Sequence, residues 1–352
     1  MFRNLYIFTV IALLIAGCST KVELNTEWRD TTIVFGLLDQ KDDYHYVKIN
    51  KAFLGTGDYY DYAMIRDSSE YSLVNARVEE LSGGTVIATY TLRDTLLLNK
   101  SIDGVFYAPE QTVYYFKKTG LNQSNTYRFV ANINEGKSNE KEVSAETKLI
   151  EDFSIVNVAS VSLGNYDGIT STYTHPTVKF APPASSDSYE ILWRLKWDEY
   201  TATDTTRKTY DWLVGKSNRD AIQVSGLVEF EVNGEAFYKT LANAIPNDPA
   251  VTKRVFRAVD IIVYAASEDL ETYINVNAPQ SGIVQERPEF TNVSNGLGLF
   301  SSRIHVTNPN KYLTLGAMRE LVHGPYTGGL LFCTDTTSTI YTLAAPPTVV
   351  CF

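Results

Sequence analysis

Residues 189–197 read YEILWRLKW, and the spacing of the apolar residues in this stretch decides the fold class. Apolar side chains occupy every second position, most residues between them are charged, and Leu192 is the one exception. A period of two, rather than 3.6, is typical of a β-strand with one buried face. Trp193 and Trp197 fall on the same face of this strand, so we expect at least one of them in the core.

The same alternation recurs along the chain. It is found in four further stretches, at 74–78, 127–133, 228–232 and 259–265. Turn signals separate such stretches, among them Ser82-Gly83-Gly84, Asp103-Gly104, Asn134-Glu135-Gly136 and Asn233-Gly234. Two segments have helical spacing instead, 234–245 after Asn233 and 315–322 after Thr314. The pattern predicts a mainly β chain of two antiparallel β-sandwich domains with a few short helices.

A domain boundary is expected near residue 150. The 352 residues suffice for two domains, each with its own core. Residues 31–150 supply several strand candidates and are predicted to form the first β-sandwich. From residue 174, THPTVKFAPPASSDSYEILWRL resembles the start of a fibronectin type III module. Residues 151–352 are therefore predicted to form a larger β-rich domain, fibronectin-III-like, with short helices and a C-terminal extension.

The amino terminus has the layout of a secretory signal peptide. One positive charge, Arg3, precedes the apolar run Leu5–Ile15, which is too short to span a bilayer. The box Ile15-Ala16-Gly17-Cys18 that follows resembles the lipobox of bacterial lipoproteins. That resemblance implies cleavage before Cys18, with diacylglycerol on its sulfur and an N-acyl chain on its nitrogen. The alternative is a short core helix with a buried cysteine.

These features predict a signal peptide over 1–17 and an acylated polar tether over 18–30. No cofactor other than the covalent lipid is expected. Lys21 and Glu23 only faintly resemble the signal that sends some Bacteroidota lipoproteins to the cell surface, so surface exposure is left open.

Five short motifs carry a resemblance to a known family. They are TIVFGLLDQKDDYHYVKINKAF (32–53), NARVEEL (75–81), GVFYAPE (104–110), GLNQSNTYRFVANINEG (120–136) and SNGLGLFSSR (294–303). Together they resemble the Bacteroidota outer-membrane lipoproteins of the domain-of-unknown-function 4249 type. The resemblance implies a transthyretin-like or immunoglobulin-like first domain. It also implies an outer-membrane location beside TonB-dependent receptors.

Net charge and histidine spacing bear on two kinds of partner, nucleic acids and metal ions. The net charge is −10 at pH 7 and no basic stripe is present, so nucleic acid is not an expected partner. The four histidines form no H-x-H or H-x-x-x-H pair, whereas a zinc site needs three or four convergent ligands. No metal site is predicted.

Catalytic motifs are also missing from the sequence. No G-x-S-x-G elbow is present, and SNGLGLF lacks the Lys-Ser/Thr end of a phosphate loop. Its glycines are expected where the backbone passes close to a neighbouring strand or turns sharply. We therefore predict no catalytic residue and no enzyme.

The stretch GTGDYYDYAMIRDSSEY (55–71) is the candidate binding loop. It is long, does not alternate and lies between strands, where function concentrates. The predicted ligand or partner contacts are Asp58, Tyr59, Tyr60, Asp61 and Tyr62. Such rings and carboxylates can bind a sugar, a partner barrel or calcium. The alternative is a loop that its tyrosines pack onto its own domain.

Two cysteines lie near the carboxyl terminus. Cys333 and Cys351 form a disulfide in one interpretation, since the bacterial envelope permits it, and remain two buried thiols in the other.

The combined expectation is a non-enzymatic lipoprotein of the outer membrane. It contacts the membrane through its lipid, and its expected partner is a TonB-dependent barrel or another envelope protein. The leading hypothesis is an accessory subunit that captures a ligand or closes as a lid, which requires a concave aromatic pocket. One alternative is a structural subunit with a broad flat apolar patch. Another is a surface adhesin with an outward-facing tyrosine-rich loop.

Overall fold

The computed structural model describes residues 31–52, 59–278, 289–335 and 348–351. Strands dominate these ranges and the helices are few and short, so the prediction of a mainly β protein is confirmed. One sheet of ten strands runs through both halves of the chain, and a four-stranded sheet lies against it in the first half. The helices in the described ranges are all too short to cross a membrane.

The first half of the chain is a sandwich of two sheet layers. One layer contains β1 (Thr32–Leu38), β2 (Tyr44–Lys51), β6 (Gln111–Lys117) and β5 (Arg93–Leu97), in that order. The other contains β4 (Thr85–Thr91), β3 (Val74–Ser82), β7 (Thr126–Ile133) and β8 (Lys141–Lys148). Val34 and Val47 face Val78 and Phe129 across the sandwich, and all four are fully buried. The alternation in 74–78 and 127–133 thus marks the inner face of the second layer.

The second half is built on four long strands. They are β14 (Thr205–Asn218), β13 (Ser186–Thr201), β16 (Val251–Ser267) and β17 (Gly296–Leu313). Alternate residues of β13, from Tyr189 to Trp197, are at most 5% exposed, which confirms that at least one of Trp193 and Trp197 lies in the core and shows that both do. These side chains form one face of the second core.

Helices and short strands cover that face. The covering elements are β10 (Gly164–Tyr166) with β11 (Ser171–Tyr173), β12 (Thr177–Phe180) with β15 (Val228–Glu231), α3 (Gly234–Ala244) and α5 (Leu315–His323). Asn233 Oδ1 accepts a hydrogen bond from Ala236 N at 3.0 Å, and Thr314 Oγ1 accepts one from Ala317 N at 3.3 Å. Both predicted caps therefore start a helix.

The remaining elements lie at the margins. They are α1 (Tyr59–Ala63), α2 (Arg66–Ser69), α4 (Glu268–Asn277), β9 (Ser160–Val161) and β18 (Phe332–Cys333). Cys333 forms a disulfide with Cys351, which decides between the two interpretations of this pair. A loop of this length closed by a disulfide gains about 3 kcal/mol in the chain-entropy account.

Strand β17 contributes to both cores. Its segment Gly296–Ser302 pairs in parallel with β1, and the residues from Arg303 onward pair with β16. Phe300 packs on Phe129 in the first core, with ring centroids 5.6 Å apart, and Ile304 is buried in the second. The first core otherwise draws almost wholly on residues before 150. The division into domains at residue 150 and the finer type of each domain stay predictions.

Gly298 permits the pairing of β17 with β1. Its φ is 109°, and a Cβ at this position would collide with the carbonyl oxygen of Val34. Other residue types rarely adopt such a φ, so only glycine fits without strain. This is the close backbone approach expected for the SNGLGLF glycines.

We predict that Gly298→Ala lowers the free energy of unfolding by about 2 kcal/mol or more, because it adds a backbone clash to an unfavourable φ. Denaturant unfolding of the purified protein measures the change. Gly104→Ala is the control, since a Cβ there meets open space, and it should change stability by less than about 0.5 kcal/mol. Equal effects of the two substitutions would contradict the role given to Gly298.

Candidate binding site

The predicted binding loop is folded against the first sheet from residue 59 onward. It forms α1 and α2 rather than an open loop. Tyr107 N donates a hydrogen bond to Ala63 O at 2.8 Å, and Asn50 Nδ2 donates one to Ser69 O at 2.9 Å. Residues 59–70 are thereby fastened both to β2 and to the connection between β5 and β6.

The predicted contact residues fall at the start of this segment. Asp58 lies outside the described residues, and Tyr59 begins α1. Tyr60 is 64% exposed, Asp61 is exposed and Tyr62 is half-buried. Of the described residues, Tyr60, Asp61 and Tyr62 do not line the clefts described below. The residues that line them follow a few positions later in the same stretch.

Glu70 holds α2 in place. It accepts hydrogen bonds from Arg66 Nε at 2.7 Å, Thr112 N at 3.0 Å and Thr112 Oγ1 at 2.6 Å. Partial burial opposes ionisation of Glu70, but the bonds from Thr112 and Arg66 outweigh it and lower the pKa of the carboxyl. An ionised Glu70 therefore links α2 to the first residues of β6.

A polar cleft of about 560 Å³ lies on one side of α2. It opens between the start of β3 and the inner side of β5 and β6. Charged residues of both signs line it, namely Lys51, Arg66, Asp67, Glu70 and Asp94. Tyr114 also lines the cleft, and burial, with the nearby carboxylates, raises the pKa of its hydroxyl to about 12. With three carboxylates and two cations, this cleft offers a hydrogen-bonding surface that has no excess of positive charge to select an anion.

An apolar cleft of about 280 Å³ lies on the other side of α2, over the outer face of β1 and β2. Ile33, Phe35, Phe106 and Tyr107 provide its apolar and aromatic walls. Glu70 and Lys51 line both clefts. The segment 66–70 is therefore a shared wall, and a ligand in either cleft would contact it.

A row of tyrosines continues the aromatic surface along the same outer face. The ring centroid of Tyr115 lies 6.1 Å from that of Tyr44 and 6.0 Å from that of Tyr46. Tyr44 and Tyr46 are 44% and 49% exposed. Sequence reasoning missed this row, although exposed tyrosines at alternate positions of YHYVKIN carry its signal.

One group of potential metal ligands occurs within the described ranges, away from both clefts. Ligand atoms of Asp39, Asp42 and His305 lie within 4.8 Å of one another. His305 Nδ1 is 2.7 Å from Asp39 Oδ2, and this hydrogen bond is the main cause that raises the pKa of His305. The bond between the histidine and the fully buried Asp39 carboxylate accounts for their closeness without a metal ion. The expectation of no metal site stays a prediction.

Comparisons with known proteins return no family model and no curated protein that matches this chain. The resemblance to outer-membrane lipoproteins therefore rests on the short motifs alone.

The Asp39–His305 pair predicts a pH-dependent contribution to stability. Because the folded-state pKa of His305 is raised above 6.5, the contribution is complete below pH 6.5 and is lost as pH rises through the folded pKa. We expect His305→Phe to lower the free energy of unfolding by about 1–3 kcal/mol at about pH 6, with a smaller loss at about pH 9. Denaturant unfolding across this range measures both values.

The phenylalanine keeps a ring beside Tyr264, whose ring centroid lies 5.6 Å from that of His305. Burial lowers the pKa of His45, which is present in both proteins. Its contribution to the pH dependence of the free energy of unfolding therefore cancels when the variant is compared with the wild type. A difference between wild type and variant that stays constant across the range would contradict the ion pair.

Proposed function

We propose that this protein is a non-enzymatic, lipid-anchored subunit of the outer membrane that captures a ligand for a TonB-dependent transporter. The observation that carries the proposal is the shared wall at 66–70, which separates a polar cleft from an apolar one. Small-molecule sites are typically concave, with apolar walls and a few polar groups. The apolar cleft has this form, and the polar cleft beside it adds hydrogen-bonding groups; together they favour ligand capture over a purely structural role.

The membrane anchor is supported by the amino-terminal sequence. Arg3, the apolar run after it and the lipobox ending in Cys18 have the order found in lipoprotein signals. Residues 1–30 lie outside the described residues, so this support comes from sequence only. A diacylglycerol with a further acyl chain would give stable anchoring, because two or more chains hold where one alone is marginal.

An exposed apolar tip next to the clefts supports a protein partner. We define the tip as six residues that are 48–77% exposed: Met64, Ile65, Leu98, Ile102, Val105 and Phe106. The bond from Tyr107 N to Ala63 O joins the two segments that carry them. Clustered exposed apolar side chains mark interaction surfaces more often than single ones do. A barrel that receives the ligand would contact this tip.

Surface adhesion is the second candidate. The outward-facing Tyr60 and the exposed tyrosine row with Tyr44 and Tyr46 favour it, since adhesion requires only a displayed aromatic surface. A purely structural subunit is less well supported, because the apolar surface here adjoins clefts instead of forming one flat patch.

The transporter proposal predicts that a TonB-dependent barrel co-purifies with the tagged full chain from native membranes in mild detergent. Placing charges on the tip with Leu98→Asp and Ile102→Asp should remove the barrel, because burying an unpaired carboxylate in an apolar interface is costly. Mass spectrometry of the recovered proteins gives the readout.

The matched control carries Ile169→Asp and Val224→Asp, at two exposed apolar positions in the second half of the chain. It should retain the barrel. Recovery of envelope-assembly proteins in place of a barrel would favour the structural subunit. Recovery of the chain alone would contradict both.

A further inference from the structure

The apolar cleft contains an ammonium group that pairs with no carboxylate of the described residues. Lys48 lies on the outer face of β2, next to Phe35 in the strand register, and is half-buried. Its Nζ has no hydrogen bond or ion pair to any residue in the described ranges. Desolvation and then repulsion from Lys100 lower its pKa, while a smaller attraction from Glu70 partly opposes them.

Lys100 is a second cation of the same cleft. Its Nζ donates a hydrogen bond to Tyr107 O at 2.6 Å and lies 5.7 Å from the centre of the Phe106 ring. Neither of these partners is a carboxylate. Within the part of the chain that the structure describes, no ion pair to Lys100 is formed.

The acidic residues of the cleft are already engaged elsewhere. Glu70 pairs with Arg66 at 2.7 Å, and Glu110 pairs with the same guanidinium at 3.4 Å. Glu70 also accepts two bonds from Thr112. Lys51 also lines this cleft, so three lysines stand against two glutamates that Arg66 already neutralises, and this excess of positive charge is unfavourable unless an anion enters.

We propose that the apolar cleft binds a small organic anion with an apolar body. Its anionic group lies against Lys48 and Lys100, and its body packs between Phe35 and Phe106. This inference rests on the binding role proposed above but not on the identity of the transporter. The polar cleft, with charges of both signs, lacks this selectivity for anions.

The test uses isothermal titration calorimetry with naphthalenesulfonate and its neutral analogue of similar shape, naphthalenesulfonamide. The full chain in a mild detergent should bind one naphthalenesulfonate. Lys48→Met should weaken that binding at least about tenfold, because it removes a charge-assisted hydrogen bond but keeps the side-chain length. The sulfonamide should bind more weakly than the anion, and Lys48→Met should leave its affinity unchanged.

Lys137→Met is the matched control, because Lys137 is exposed in the turn between β7 and β8. It should bind the anion as the wild type does. Lys48→Met should also unfold at the same or a higher temperature than the wild type, since it removes an unpaired charge from an apolar setting. A marked loss of thermal stability would instead assign Lys48 a structural role and overturn the proposal.

Two further results would overturn the proposal: no saturable binding of naphthalenesulfonate, or equal affinities for the anion and the sulfonamide. The transporter proposal is tested separately. Anion binding without a co-purifying barrel would contradict only the transporter, and a barrel without anion binding would contradict only this inference.

Discussion

The parallel pairing of β17 with β1 is the contact on which the rest of the structure depends. It is possible because Gly298 lets the backbone approach the Val34 carbonyl, where any Cβ would collide. From this pairing, β17 places Phe300 in the first core and Ile304 in the second. The two hydrophobic cores therefore share one strand and one continuous sheet.

Strand β1, which pairs with β17, also forms part of the candidate site. Its inner face, with Val34 and Leu38, is fully buried in the first core, while its outer face supplies Ile33 and Phe35 to the apolar cleft. Alternate residues of one strand serve both roles, so the cleft wall lies directly over the first core. The other wall is a short segment held by the ionic hydrogen bonds of Glu70. The cleft thus combines an aromatic wall on β1 with a polar wall held in place by Glu70.

Local patterns predicted much of the fold. Alternation from Tyr189 to Trp197 identified a buried strand face, and Asn233 and Thr314 identified two helix starts, because such signals depend on neighbouring residues. The SNGLGLF glycines indicated a close backbone approach, but the strand approached, β1, lies in a distant part of the chain, and its identity has no local signal. The same holds for the cleft: Lys48 and Lys100 meet only after the strands assemble. The stretch 55–71 was predicted as a binding loop from its composition, but the packing of α2 on β6 decides which of its residues line the clefts.

Hydrogen exchange of the wild-type protein, followed by mass spectrometry, tests most directly whether the shared strand joins the two cores into one unit. The account predicts that the most protected amides of β1 and of β13 exchange with the same opening free energy, because neither core survives without β17. Complete exchange in β1 while β13 remains protected would show that the halves unfold independently, and would contradict the coupling through β17.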